Sequence, residues 1–414
     1  MKQGPIVIIG GGITGLCAAY FLIKRGHPVV LVTRDPVGDG ASAGNAGILA
    51  AGHLPLPHPG LSAKALRWIL DRDAPLYIPP RFDLGLLRWF WHFHRACNPR
   101  QIAHCMKILT PLGMKTMECW REILTENDIR CDFRPRGWLN VYRSETGRWE
   151  AAREAALVRD LGFEVAQYSR QELREKEPAF GPAVSGAVHY LDSASLDPRA
   201  FMENLAERLV GLGVEFRGGE EVTELIVEKG KCSGARLASG AEVLGGRTVL
   251  AAGIWSTGLA EAAGLKLPMQ GGKGYHLDLE PPSPALGTAA VLMEDFIAVT
   301  PMDGRLRLAG TVEFSGVNRD LVASRVKMLS AGAAEFLPGV LAADILGKGC
   351  DLRPCTADGL PVLGWAPKVE GLLISTGGAK MGMTLGPALG QLAAEMLLDG
   401  QASLDLTPVR ADRF

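Results

Sequence analysis

Pro5-Ile6-Val7-Ile8-Ile9-Gly10-Gly11-Gly12-Ile13-Thr14-Gly15 decides how the chain begins to fold. Pro5 to Ile9 is short, β-branched and apolar, as a parallel strand buried on both faces requires. Gly10 to Gly15 fits GxGxxG. Leu16 to Arg25 reads as a helix, with Leu16, Ala19, Tyr20 and Ile23 on one side, and Gly26 ends it. Val29 to Val32 is a second strand. The motif therefore follows a strand, opens a helix and lies inside a βαβ unit, the setting in which it signals dinucleotide binding. In that setting Gly10 makes the tight turn, Gly12 lets a pyrophosphate touch the backbone, and Gly15 packs helix on strand. The amides of Ile13 and Thr14 lie at the helix N-terminus, which favours phosphate. The alternative is a glycine-rich turn in a generic α/β domain.

Gly4 to Ile23 carries no charge and imitates a signal peptide or membrane span. The three glycines split it, so strand, turn and helix explain it better. The second strand departs from the usual pattern. Where an acidic residue should meet the ribose, the chain has Thr33, then Arg34 and Asp35. Thr33 can supply one hydroxyl, Asp35 can reach from the next turn, and Arg34 is a candidate for adenine or phosphate.

The wider composition fits a globular enzyme. The chain has 414 residues, 47% hydrophobic and 21% charged, which is room for two cores. Lys+Arg 44 against Asp+Glu 45 gives a net charge of −1, without the basic surplus that nucleic acid demands. The eight cysteines form no CxxC pair, and no histidine has zinc spacing, so no metal is expected. Scattered thiols favour a cytoplasmic setting.

Three further segments narrow the family. Ala41-Ser42-Ala43-Gly44-Asn45-Ala46-Gly47 is a small-residue loop after the second strand. Thr248-Val249-Leu250-Ala251-Ala252-Gly253-Ile254-Trp255-Ser256 runs an apolar strand into a glycine turn. Near the C-terminus come Arg353-Pro354-Cys355-Thr356-Ala357-Asp358-Gly359-Leu360-Pro361 and then Thr376-Gly377-Gly378-Ala379-Lys380-Met381-Gly382-Met383-Thr384. On these the chain resembles the D-amino-acid oxidase and dehydrogenase superfamily, in its bacterial D-amino acid dehydrogenase and glycine oxidase-like branch. The resemblance covers nearly the whole chain.

The resemblance implies an α/β fold: a Rossmann-type FAD-binding domain with an inserted α+β substrate domain built on an antiparallel sheet. The FAD domain is expected at 1–60, 195–265 and 340–414, and the substrate domain at 61–194 and 266–339. Val214 to Arg217 suits a third parallel strand, and Val222 to Val243 a meander. FAD, held non-covalently, is expected against Ser42, Asn45, Ala46, Gly47, Val222, Ala252, Gly253 and Trp255, and against Arg353, Gly377, Lys380, Met381, Gly382, Met383 and Thr384. Cys350 lies one residue from where sarcosine oxidase-like relatives attach flavin, so covalent attachment is not expected.

The same resemblance implies oxidation of a D-amino acid, or a cyclic imino acid such as D-hydroxyproline. The Cα hydride passes to flavin N5 and electrons go on to a quinone or dye. A glycine- or sarcosine-type oxidase releasing peroxide, and an FAD-binding subunit of a larger dehydrogenase, remain alternatives. Candidate substrate-site residues are Tyr275, Arg353, Lys380 and His53. Tyr275 could hold a carboxylate or pack in the sheet. Lys380 could stabilise reduced flavin or lie in solvent, and His53 could line the mouth or be solvated. The family's histidine is absent at Gly378, and Met302 stands where glycine oxidases carry an arginine. Leu86 to His94 is strongly aromatic, with Trp68 upstream. It suits a helix resting on a membrane surface at the inner face, or one packed on the second domain or an oligomer partner.

Overall fold

Ile6–Ile9 pairs in parallel with Val29–Thr33, and both strands are buried along their whole length, as their aliphatic sequence requires. Glu215–Gly218 extends this sheet on one side; Arg247–Leu250 and Leu372–Thr376 extend it on the other, all parallel. Val362–Trp365 closes the sixth position as an antiparallel edge. The computed structural model describes residues 4–61, 71, 74–79 and 81–414. Trp68 lies outside them.

The helix Ile13–Lys24 follows the glycine turn and packs on the helix Gly382–Leu398. A Cβ on Gly390 would come within 2.6 Å of the Cys17 carbonyl carbon, so the crossing needs glycine there. Both helices bury most of their residues against the parallel sheet. The expected meander forms a three-stranded sheet from Val222–Glu228, Lys231–Leu237 and Glu242–Leu244.

The second layer is a nine-stranded sheet centred on Met269–Leu279, Arg305–Glu313 and Ile297–Met302. Trp138–Tyr142 and Gly186–Tyr190 also belong to this sheet. Pairing is antiparallel except where Ala289–Leu292 meets Trp138–Tyr142 and where Leu76–Tyr77 meets Arg305–Glu313.

Two segments sit differently from the expected domain division. Ile345–Thr356, grouped by sequence with the nucleotide domain, hydrogen-bonds along the whole of Met269–Leu279 in the second sheet. The helix Pro99–Asn127, grouped with the substrate domain, puts Leu109, Leu112, Trp120 and Ile123 into the first core. Its Thr116 hydroxyl donates to the Thr384 carbonyl at 2.6 Å. Both depend on partners distant in sequence, which local pattern does not reveal.

The aromatic stretch is the helix Leu84–Ala96, capped by Asp83, which accepts from the Leu86 amide at 2.9 Å. Trp89 and Phe93 are buried against Phe314, and Trp89 Nε1 donates to the Cys355 carbonyl. Leu84, Leu87 and Trp91 stay exposed on the other face. No helix among the described residues is long and apolar enough to cross a membrane.

Candidate functional site

The turn after the first strand has the geometry that a phosphate needs. Gly10 has φ +117°, where a side chain is strained, and a Cβ there would strike the Ala251 carbonyl at 2.4 Å. A Cβ on Gly15 would lie 1.9 Å from the Gly10 carbonyl, so this residue seats the helix on the strand. A Cβ on Gly12 would meet only the Ser42 hydroxyl, at 3.4 Å; Gly12 lines a cleft shared with Thr33, Arg34, Ala252 and Gly377. The Ile13 amide donates to Ser42 Oγ at 3.1 Å, and no side chain caps the helix at Gly12. Its free N–H groups and dipole are left for an anion.

The far end of the cleft is built from charge. Thr33 lines it, but its hydroxyl donates to the Asp35 carbonyl at 2.9 Å. Arg34 forks onto the Asp35 carboxylate (3.2 and 2.9 Å) and lies 4.4 Å over the Trp255 ring. Arg319, carried by the second layer, reaches Asp35 at 2.8 Å and Asp351 at 3.4 Å, and lies 4.9 Å over the same ring. These two guanidiniums hold the Asp35 carboxyl below its usual range, against burial. No motif singles out Arg319, which lies in an irregular segment between a strand and a helix.

The cleft is also lined by Asn45, Val222, Ala252, Gly253, Gly377, Gly382 and Met383, together with Ile13 and Thr14. Arg353 also lines it. Its Nη1 donates to the Thr311 carbonyl at 3.0 Å. That carbonyl is aimed by a bulge, since Lys273 pairs with Glu313 while Tyr275 pairs with Gly310. Thr311 carries φ +57°, an uncommon conformation for a β-branched residue and a mark of strain at functional sites.

Not every expected contact borders the cleft. Ala46 and Gly47 lie behind it, Gly47 against the Leu196 carbonyl and the buried Met302. Met381 is buried, and the Thr384 hydroxyl accepts from the Ala50 amide at 3.2 Å. These residues shape the walls. Cys350 is outside the lining too, its thiol directed to the Arg319 carbonyl at 3.3 Å.

Tyr275 packs in the sheet, the second of its two expected readings. Its ring is 1% exposed and its hydroxyl donates to Glu313 Oε2 at 2.8 Å. Lys273 and Arg325 crowd the same carboxylate. The tyrosine belongs to a sealed ionic network in the second sheet and cannot meet a substrate carboxylate there.

Lys380, His53 and a residue that sequence reasoning missed, Glu154, come together where the two layers meet. His53 Nδ1 lies 3.6 Å from Glu154 Oε1. The Lys380 ammonium makes no hydrogen bond or ion pair among the described residues. Burial brings its pKa down to about 8, aided by Arg353 and opposed by Glu154. Burial and then Lys380 hold His53 below its ordinary value, so the ring is neutral at pH 7. Burial works to raise Glu154, but His53, Lys380 and His58 outweigh it and keep the carboxylate ionised. Glu154 lies in a charge-rich stretch, Arg148 to Arg153 before it, that reads as a solvated helix face. Arg353, Lys380 and Glu154 thus set cations and an anion beside each other at the flavin end expected from sequence.

A family model described as FAD dependent oxidoreductase matches residues 5–396. Among solved structures, glycine oxidase from Geobacillus kaustophilus is 22% identical, with a TM-score of 0.81 over 100% of each chain. L-proline dehydrogenase from P. horikoshii is 17% identical, TM-score 0.76, over 100% of this chain and 98% of that one. L-alpha-glycerophosphate oxidase from Mycoplasma pneumoniae, solved with FAD bound, is 18% identical, TM-score 0.73, over 98% and 97%. At these identities the likeness is one of fold.

Proposed function

Because the chain belongs to the FAD dependent oxidoreductase family, we propose that it oxidises the Cα–N bond of an amino acid or cyclic imino acid. The observation that carries this reading is Arg353 lining the cleft proposed to hold FAD, with Lys380, which has no hydrogen bond or ion pair among the described residues, following the lining residue Ala379. FAD supplies the two-electron acceptor for the Cα hydride. Arg353 and Lys380 hold the substrate carboxylate by charge-assisted hydrogen bonds. This fixes the Cα–H bond in one orientation, which is most of what such a reaction asks of the protein. The product imine is hydrolysed by water to a 2-oxo acid.

Our reading takes the D-hand from the sequence resemblance, with electrons passed to a quinone or dye. The exposed face of Leu84, Leu87 and Trp91 is a candidate resting place on a membrane surface that would supply a quinone. The test is an anaerobic panel of D- and L-amino acids with the purified yellow protein. Fading with D-amino or D-imino acids supports the proposal, and fading with L-forms alone overturns its handedness. Rapid reoxidation by air, with peroxide release, would replace the dehydrogenase by a glycine- or sarcosine-type oxidase. A flavin that no amino acid reduces would sink the reading altogether.

A further inference from the structure

Glu154 stands on the helix Glu145–Asp160, one position before the buried Ala155, with its side chain 15% exposed. Its Oε2 accepts from Asn140 Nδ2 at 3.2 Å. Asn140 is 2% exposed, inside the strand Trp138–Tyr142, and also donates to the Tyr190 hydroxyl at 3.3 Å. The carboxylate is therefore anchored through one oxygen and offers the other to His53. The ring of His53 meets the edge of Trp138 at 5.5 Å, and Trp138 stacks on Tyr190. Its Nδ1 is buried and has no hydrogen-bond partner among the described residues. The Glu154 oxygen 3.6 Å away is the charge that faces it.

A neutral imidazole carries its proton on only one nitrogen. A lone pair on Nδ1 would be repelled by the carboxylate, whereas a proton there is attracted. The Nδ1–H tautomer is thus favoured, and the lone pair falls on Nε2. Such a carboxylate–imidazole arrangement turns a histidine into a directed proton acceptor.

We propose that Glu154 is a positioning residue that holds His53 as the Nδ1–H tautomer, so that His53 Nε2 takes the proton from the substrate ammonium group. The proposal rests on the amino acid reading given above. One N–H bond of the ammonium breaks, its electron pair stays on nitrogen, and the proton bonds to Nε2; nothing is oxidised or reduced in this step. The lone pair so released is what the departure of the Cα hydride requires. The imidazolium then returns its proton to water.

The charges around His53 come from several elements. Glu154 faces it from its helix and Lys380 from the turn before the helix Gly382–Leu398. Glu164 and Asp192 line, with His53, Trp138 and Tyr190, a small cavity behind the ring. His58 acts on Glu154, and Arg353 on Lys380. The imidazole is neutral at pH 7 in this setting and able to accept a proton.

The experiment uses the FAD-loaded wild type, Glu154→Gln and His53→Gln. Nitrogen-15 NMR of the histidine side chains, with His53→Gln identifying the signal, should show Nδ1–H in the wild type. In Glu154→Gln the amide can donate to Nδ1, so the signal should shift to the Nε2–H form. Anaerobic flavin fading is followed with D-proline, D-alanine and glycine from acid to alkaline pH. Glu154→Gln should be slower at pH 7 by on the order of tenfold to a hundredfold. Its rising limb should move to lower pH, because the anion that raises the histidine is gone, while an unchanged flavin spectrum shows an intact fold. An Nε2–H signal in the wild type overturns the proposal. So does a Glu154→Gln variant with the wild-type tautomer and pH profile. Should Glu154→Gln not hold FAD, His53→Gln decides: loss of the rising limb supports the proposal and its retention overturns it. If no amino acid fades the flavin, the functional reading fails. If fading occurs with the limb unmoved in both variants, only the role of Glu154 and His53 fails.

Discussion

Arg307 and Ala43 stand in different layers, and Arg307 Nη1 donates to the Ala43 carbonyl at 2.7 Å. The same nitrogen reaches the Asn45 carbonyl at 3.1 Å. Nε and Nη2 fork onto Asp278 at 2.7 and 2.8 Å, and the guanidinium side chain is 2% exposed. The small-residue loop along the cofactor cleft has few side chains with which to fix itself. It is fixed from the sheet opposite.

Replacing Arg307 by Met should therefore affect two quantities at once. Asp278 would stay largely buried, with Arg305 at 3.5 Å as its remaining ion-pair partner among the described residues. A buried pair broken on one side costs about 3–5 kcal/mol, and the remaining arginine puts this case at the low end. Urea unfolding should show that loss, and Asp278→Asn added to Arg307→Met should recover part of it. FAD should also leave about tenfold more readily on dilution, because the loop carrying Ser42 and Asn45 is released. Unchanged FAD retention in Arg307→Met would show that the loop holds its own shape.

Gly12 and Gly15 separate binding from folding. A methyl group at Gly12 meets only Ser42 Oγ at 3.4 Å, whereas one at Gly15 collides with the Gly10 carbonyl at 1.9 Å. Gly12→Ala should fold with nearly wild-type stability without cofactor and bind FAD at least about tenfold more weakly. Gly15→Ala should lose stability even before FAD is added. Titration of the apoprotein with FAD, beside thermal melts, distinguishes the two. Equal melting losses in both variants would contradict the assignment of Gly12 to the ligand side.

The parts of this molecule written in local chemistry were readable before any coordinates. Ile6–Ile9, the glycine turn and Val29–Thr33 follow from aliphatic runs and from backbone freedom at Gly10, and these need no distant partner. The meander from Val222 was readable for the same reason. The two readings of Tyr275 stayed open because its hydrogen-bond partner, Glu313, lies on another strand. Glu154 was invisible because a charged helix position gives no hint that its neighbour is an interior histidine. Arg319 belongs to the same class, since its purpose appears only when two layers bring it to Asp35 and Trp255.

The helix Leu84–Ala96 gives two tryptophans opposite fates. Trp89 is 2% exposed, stacked on Phe93 at 4.9 Å and bonded to the Cys355 carbonyl. Trp91 is 53% exposed and packs beside His92 and Arg95. Trp89→Ala should cost about 3–5 kcal/mol in urea unfolding, from lost packing and a vacated cavity. Trp91→Ala should stay within about 0.5 kcal/mol. A large loss at Trp91 would mean that its face is covered in solution.

Lys380 should set the alkaline limit of activity. Burial holds its pKa at about 8, so it is charged below that pH and neutral above it. If its charge holds the substrate carboxylate, kcat/KM in anaerobic reduction falls as pH rises through about 8. Lys380→Arg keeps a cation at all accessible pH values, since guanidinium does not deprotonate in proteins. Its alkaline limb should therefore move far upward or vanish. Lys380→Met should lower kcat/KM by about 10–100-fold at pH 7, the worth of one charge-assisted hydrogen bond, and abolish the limb. A variant Lys380→Met that keeps the wild-type limb would assign that titration to another group and leave Arg353 alone at the carboxylate.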